Sequence, residues 1–122
     1  MEEAGRWMKK AEHDLVAAEI NLQQKLFDVS AFLSHQAAEK ALKALYILKF
    51  KRLWKIHNLV DLAEKAGAPE DVVDTCDKLN PHYLVTRYPL DEEYTEAKAE
   101  EALSYGKEVV TWAKESLKKT KK

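Results

Sequence analysis

Apolar residues recur at steps of three and four along most of this chain, the spacing of helices that bury one face. Ala4, Trp7, Met8, Ala11, Leu15, Ala18 and Leu22 form the first such stripe. Glu2 and Glu3 suit the N-terminal end of that helix electrostatically, and Gln23-Gln24-Lys25 closes it. A second helix is predicted from an N-cap at Asp28 to about Phe50. Val29, Leu33, Ala37, Ala41, Ala44, Leu45 and Leu48 share one side of it. The other side carries Phe32, Leu42, Tyr46 and Phe50 among His35, Glu39 and Lys43. A helix apolar nearly all round needs cover on both sides, either in the centre of a bundle or at a subunit interface.

His57 and Asn58 open a short third helix with Leu59, Leu62, Ala63 and Ala66 inside, and Gly67 is a natural left-handed residue past its end. Pro69 at the first helical position, followed by Glu70 and Asp71, starts a fourth through Val72, Val73, Cys76 and Leu79, which Asn80-Pro81 stops. Residues 80–95 read as the longest irregular stretch. The last helix is predicted from an N-cap at Thr95, with Ala99, Leu103, Gly106, Val109 or Val110, Ala113 and Leu117 facing inward. No repeat or linker interrupts this pattern. The expectation is an all-α, up-and-down helical bundle of about five helices in a single domain over 1–122, with 118–122 a frayed basic tail.

Composition supports that picture: 122 residues, 46% hydrophobic and 34% charged, with three Gly and three Pro, describe a helical globular chain that needs no staple. The lone Cys76 cannot form an intrachain disulfide and lies between Asp74 and Asp77, so it reads as structural rather than nucleophilic. The N-terminus carries acids where a signal peptide carries bases, and no run approaches the ~20 apolar residues of a membrane span, so a cytoplasmic protein is expected. The net charge of −1 hides an uneven distribution. Lys40, Lys43, Lys49, Lys51, Arg52 and Lys55 face only Glu39 between 39 and 57, whereas Asp91, Glu92, Glu93, Glu96, Glu100 and Glu101 face only Lys98 between 91 and 101. Such asymmetry fits a polyanion, or equally an oppositely charged surface within or between subunits.

Phosphate loops, metal-binding His and Cys spacings and nucleophile elbows are absent, and no cofactor or metal is expected. His13, between Glu12 and Asp14, reads as a surface residue. His57 stands at a helix start, where free N–H groups favour an anion, and Lys51, Arg52, Trp54 and Lys55 precede it. Bases around an aromatic can grip a phosphate backbone and stack a nucleobase. The structural alternative makes Trp54 and Ile56 plugs of the bundle end and His57 a cap. The segment Tyr83-Leu-Val-Thr-Arg87-Tyr88-Pro89 is a second candidate, because Arg87 is a forked anion donor and Pro89 restricts Tyr88 to extended geometry. Arg87 could instead tie the loop to Glu39 or to an acid of the last helix. Gln36, Glu39, Lys40 and Lys43 are a third candidate. Glu39 and Lys43 are an i,i+4 pair, worth only ~0.3–0.5 kcal/mol if exposed, but part of a specific polar network if the Phe32 and Tyr46 side is buried.

These residues also carry a resemblance to a known family. Trp7 with Ala11, Asp14-Leu15 and Ala18 resembles the first helix of HEPN domains. Ser34-His-Gln-Ala-Ala-Glu-Lys-Ala-Leu-Lys-Ala-Leu45 resembles their second-helix signature. His57-Asn58-Leu59 resembles their His-x-Leu helix start, and Thr86-Arg-Tyr-Pro89 their Arg-Tyr-Pro loop. The blocks occur in family order over nearly the whole chain. The resemblance implies a helical bundle, usually a homodimer, often paired with a minimal nucleotidyltransferase in a toxin–antitoxin system. Some members are metal-independent ribonucleases with an Arg-x(4–6)-His motif. Arg52-Leu-Trp-Lys-Ile-His57 has that spacing, although at the turn before the third helix rather than near the start of the last core helix, and Arg87 has no His at that distance.

Three functions stay open on the sequence. The first is a nucleotide- or RNA-binding module using Lys51, Arg52, Trp54, Lys55, His57, Asn58, Arg87 and Tyr88, dimerising through the second and last helices, with Phe32, Gln36, Glu39, Lys40, Lys43 and Tyr46 as a dimer surface or polar network on the second. The second is a metal-independent endoribonuclease toxin with His57 and Arg52 as catalytic residues. The third is a non-catalytic scaffolding dimer.

Overall fold

A computed structural model describes residues 2–53, 55, 57–85 and 94–120. The helices among them are α1 (Glu2–Gln23), α2 (Phe27–Phe50), α3 (Leu59–Lys65), α4 (Glu70–Leu79), the single turn α5 (His82–Val85) and α6 (Glu96–Thr120). Five of them answer to the helices expected from apolar spacing. The sixth, α5, lies in the stretch read as irregular. Lys118 and Lys119 continue α6 rather than leaving it.

α2 is the centre of the bundle, packed on α1, α6, α3 and α5. Fourteen of its 24 residues are buried, so most of both apolar sides is covered within one chain, while Val29 and Phe50 stay exposed and Phe32, Leu33 and Leu48 are partly buried. Ala37, Ala41, Ala44, Leu45 and Ile47 join Ala4, Met8 and Ala11 of α1 and Val110, Ala113 and Leu117 of α6 in one core. Ala31, Ala38 and Leu42 join Leu59, Leu62, Val72, Cys76, Leu79 and Val109 in a second. Small residues bring the long helices together. Where α6 crosses α2, a Cβ on Gly106 would lie 2.9 Å from the Ser34 backbone oxygen and 3.2 Å from the Ser34 Cβ. Gly106→Ala is therefore expected to destabilise the fold by about 1–3 kcal/mol, because backbone must move to admit the methyl group. A urea midpoint unchanged by this substitution would show that the helices separate without penalty.

The ends of the helices follow local chemistry, with three departures from expectation. α2 does not start on an Asp28 cap. Its N-cap position is Leu26, with no side-chain cap, and Asp28 sits in the first turn. The chain reverses instead through Lys25, whose φ of 64° lets Leu26 N–H reach Asn21 O at 2.9 Å and Lys25 N–H reach Leu22 O at 3.0 Å. α3 starts after Asn58 alone: Asn58 is its N-cap, and His57 precedes it. Pro69 is the N-cap of α4 rather than its first residue. The other expected caps hold. Gly67, at φ 82°, ends α3 with Ala68 N–H bonded to Ala63 O, and Thr95 Oγ1 accepts from Lys98 N–H at 3.2 Å to begin α6.

Cys76 is fully buried, and burial, followed by the nearby Glu108 charge, pushes its thiol up to about 12. It is inert packing, as expected, but because of burial and Glu108 rather than Asp74 and Asp77.

Candidate functional site

The functional cluster grows from one strip of α2. Glu39 and Lys43, one turn apart, are both buried, and Lys43 Nζ donates to Glu39 Oε2 at 2.8 Å. From the segment before α3, His57 brings Nδ1 to 3.0 Å from both oxygens of the same carboxylate. A carboxylate only accepts, so Nδ1 carries the proton. In the neutral ring the other nitrogen, Nε2, is then the acceptor, on a side chain 55% exposed. One buried carboxylate thus fixes both the orientation and the tautomer of a half-exposed imidazole.

Tyr83 of α5 completes the cluster. Its ring lies 5.1 Å from that of His57, nearly parallel at 16°, and 5.1 Å from that of His35, with Phe32 at 6.3 Å. Tyr83 stands between two imidazoles contributed by different parts of the chain. His35 is fully buried, its Nε2 has no hydrogen-bond partner among the described residues, and Gln36 Nε2 is 3.5 Å from its Nδ1. Burial lowers the His35 pKa to about 4. The Glu39 charge opposes this, His82 and His57 add to it, and Asn80 is a small opposing influence. His82 is also lowered, chiefly by burial and further by Lys98, against the pull of Glu101. Histidines scattered in sequence therefore gather in space. Among the described residues they form no metal-holding group. His13 alone stays apart, exposed beside Asp14.

The anion site expected at the start of α3 does not survive its capping. Asn58 Oδ1 accepts from Val60 N–H at 3.0 Å and Asp61 N–H at 3.3 Å, and Asn80 Oδ1 accepts from Leu59 N–H at 3.0 Å. Those donors are spent on protein. Asn58 serves the helix, and among the described residues its side chain reaches another element only through Asn80, at 3.5 Å.

Lys51, Arg52 and Lys55 are exposed on the connection between α2 and α3, and the partner of His57 there is Glu39 rather than Arg52. Trp54, Arg87 and Tyr88 lie outside the described residues. On α2, Tyr46 is buried with its ring 4.5 Å from Phe50, and Lys40 pairs with the buried carboxylate of Asp14 on α1. Sequence reading passed over Asp14 and His35 as site residues, and had Tyr83 only as the first residue of the segment leading to Arg87 and Tyr88. Asp14 left a trace as a member of the first-helix block, and His35 as a polar residue on the second side of α2 and a member of its block.

The family profile described as "HEPN domain" matches residues 4–117. The chain belongs to the HEPN domain family. A Methanocaldococcus jannaschii relative named "Putative toxin MJ1304" is 30% identical over 92% of this chain and 86% of its own length. Among solved structures, TT1696 of Thermus thermophilus superposes with a TM-score of 0.84 at 31% identity, covering 94% of this chain and 98% of the other. ST0689, an archaeal HEPN homologue, gives 0.78 at 28% identity over 93% and 96%. TM0613, a HEPN domain protein of Thermotoga maritima, gives 0.76 at 22% identity over 93% and 98%, a likeness of fold. The HEPN bundle expected from the second-helix block, His57-Asn58-Leu59 and the Arg87-Tyr88-Pro89 loop is therefore the fold of this chain. Among the described residues, no helix of this HEPN protein is long and apolar enough to cross a membrane.

Proposed function

We propose that this HEPN protein is a cytoplasmic, toxin-like module that binds RNA through the α2–α3 connection and the His57 cluster. The observation that carries the reading is His57 itself: half-exposed, stacked on Tyr83, held by buried Glu39, and flanked by exposed Lys51, Arg52 and Lys55. Cations there would meet phosphates, and the exposed imidazole with its aromatic backing would meet a base or sugar. The name of the M. jannaschii relative supports a toxin-like role. In this reading the protein is a homodimer, its partner a minimal nucleotidyltransferase, and Trp54, Arg87 and Tyr88 extend the RNA surface.

The test is fluorescence anisotropy with a single-stranded RNA and the DNA of the same sequence. If Lys51, Arg52 and Lys55 each neutralise a phosphate, affinity should fall roughly 20-fold between 50 and 200 mM salt. The Arg52→Ala, Lys55→Ala double variant should flatten that slope. No binding at low salt, or a slope untouched in the double variant, would sink the proposal.

A second reading, metal-independent RNA cleavage, is favoured by one observation, the Glu39–His57 pair. With Nδ1–H on Glu39, Nε2 can take the proton of a ribose 2′-hydroxyl as that oxygen attacks the adjacent phosphorus. The bond to the 5′-oxygen breaks, that oxygen takes up a proton, and a 2′,3′-cyclic phosphate remains, with Arg52 stabilising the added charge. Cleavage of RNA but not DNA, indifferent to EDTA and lost in His57→Ala, is the expected result. Full activity in His57→Ala excludes this mechanism.

A further inference from the structure

Beyond the His57 cluster, the α1–α2 face holds a pocket of about 360 Å³ lined by Glu3, Arg6, Trp7, Lys10 and Lys40. The α1 members recur at three- and four-residue steps, so they form one strip along that helix. Trp7 is half-buried against the core and supplies a flat aromatic wall. Lys43 lies over the Trp7 ring at 5.8 Å but does not line the pocket, so it stands between this site and Glu39.

Cations outnumber acids around this pocket, with Arg6, Lys10 and Lys40 against Glu3 on its wall and Asp14 behind it. Lys40 is 20% exposed and anchored by the buried Asp14 carboxylate, which leaves other donors of its ammonium without a partner among the described residues. Lys10 reaches the same carboxylate only at 3.9 Å, and Arg6 is exposed with no hydrogen bond or ion pair among the described residues. Three cations against two acids, Glu3 and the buried Asp14, therefore surround an indole wall, and Arg6 is the cation without an acid partner among the described residues. The volume lies near the lower end of small-molecule pockets.

We propose that this pocket binds a small planar anion, an aromatic ring stacked on Trp7 with a phosphate or carboxylate held by Arg6, Lys10 and Lys40. Trp7 is then a ligand platform, and Asp14 positions Lys40. The site is separate from the RNA surface proposed above, and either can fail without the other.

The indole N–H resonances of ¹⁵N-labelled protein supply the readout, with Trp112 as internal control and Trp7→Phe as the assignment variant. Adenosine 5′-monophosphate, 4-hydroxybenzoate, adenosine and inorganic phosphate are titrated separately. The Trp7 signal is expected to shift saturably with at least one of the two ring-bearing anions. Adenosine and phosphate alone should bind about tenfold more weakly, because each lacks half of the recognition. Arg6→Ala, at an exposed position that leaves the fold intact, should weaken the better anion by about tenfold. Tighter binding of the monophosphate assigns the site to nucleotides, and tighter binding of the benzoate assigns it to aromatic acids. The proposal is overturned if neither ring anion shifts Trp7 saturably, if phosphate alone binds as well, or if Arg6→Ala changes nothing.

Discussion

Glu39→Ala should be among the most damaging single substitutions in this protein, lowering its unfolding free energy by about 3–5 kcal/mol. The cost comes from what the missing carboxylate leaves behind. The Lys43 side chain is only 7% exposed, and Glu39 is its anionic partner at 2.8 Å. Without it, an ammonium stays buried beside Trp7 with that counter-charge gone. Lys43→Met is the informative contrast. It removes the cation and leaves Glu39 with the Nδ1–H of His57 at 3.0 Å, so a loss of about 1–2 kcal/mol is expected. The Glu39→Leu, Lys43→Met double variant should be less damaged than the sum of its parts by at least ~1 kcal/mol, the signature of two groups that act as one. Urea denaturation at pH 7 measures all of these. The same series reports on the site: imidazole ¹⁵N shifts should show the Nδ1–H tautomer of His57 in the wild type and a mixture in Glu39→Ala. A Glu39→Ala protein as stable as wild type, with an unchanged imidazole, would mean that the carboxylate neither balances Lys43 nor orients His57.

That network also marks where sequence reading stops. Glu39 and Lys43 are four residues apart on one helix, so their pairing follows from helical geometry alone. His57 is 18 residues from Glu39, and their meeting depends on how the α2–α3 connection folds back, which no local pattern encodes. The Asp14–Lys40 pair spans 26 residues and depends on the register between α1 and α2. Tyr83 could be seen as an aromatic in a long stretch, but not as a ring between two imidazoles.

The same boundary runs through the helix ends. Thr95, Gly67 and Asn58 were legible because side-chain oxygen or absent Cβ announces the cap. The turn at Lys25 was not, because a lysine at φ 64° satisfies the backbone of α1 without any of the residue types that usually advertise it. With the reversal hidden, Asp28 was the nearest acceptable cap and drew the start of α2 to itself. The long helices were insensitive to such errors. Periodic burial over 22 to 25 residues outweighs the chemistry of one end residue, so the bundle was readable even where its corners were not.

Wild-type stability should fall by about 3 kcal/mol between pH 6.5 and pH 4 through His35 alone. In the unfolded chain this imidazole has its ordinary value of 6.5, and in the folded protein burial holds it at about 4. Above pH 6.5 neither state binds the proton and the full stability is present. As pH drops through 6.5 the unfolded state takes the proton while the native state does not, so stability declines with falling pH. Below about pH 4 both states are protonated and His35 adds no further slope. The native state resists because the ring is fully buried and its Nε2 finds no partner among the described residues. His57 and His82 add like charge when protonated, and Glu39 supplies the opposing one. His35→Phe keeps a ring beside Tyr83 and removes the titration. Urea midpoints at half-unit pH steps from 7.5 to 4 give the two stability curves. Their difference should change by about 3 kcal/mol across the range, with the wild type losing more. His82 costs stability in the same direction, but it is present in both proteins, so the difference reports mainly on His35 and its coupling to His82. Parallel curves would show that His35 is protonated as readily in the fold as out of it, and that the buried stack with Tyr83 admits a charge.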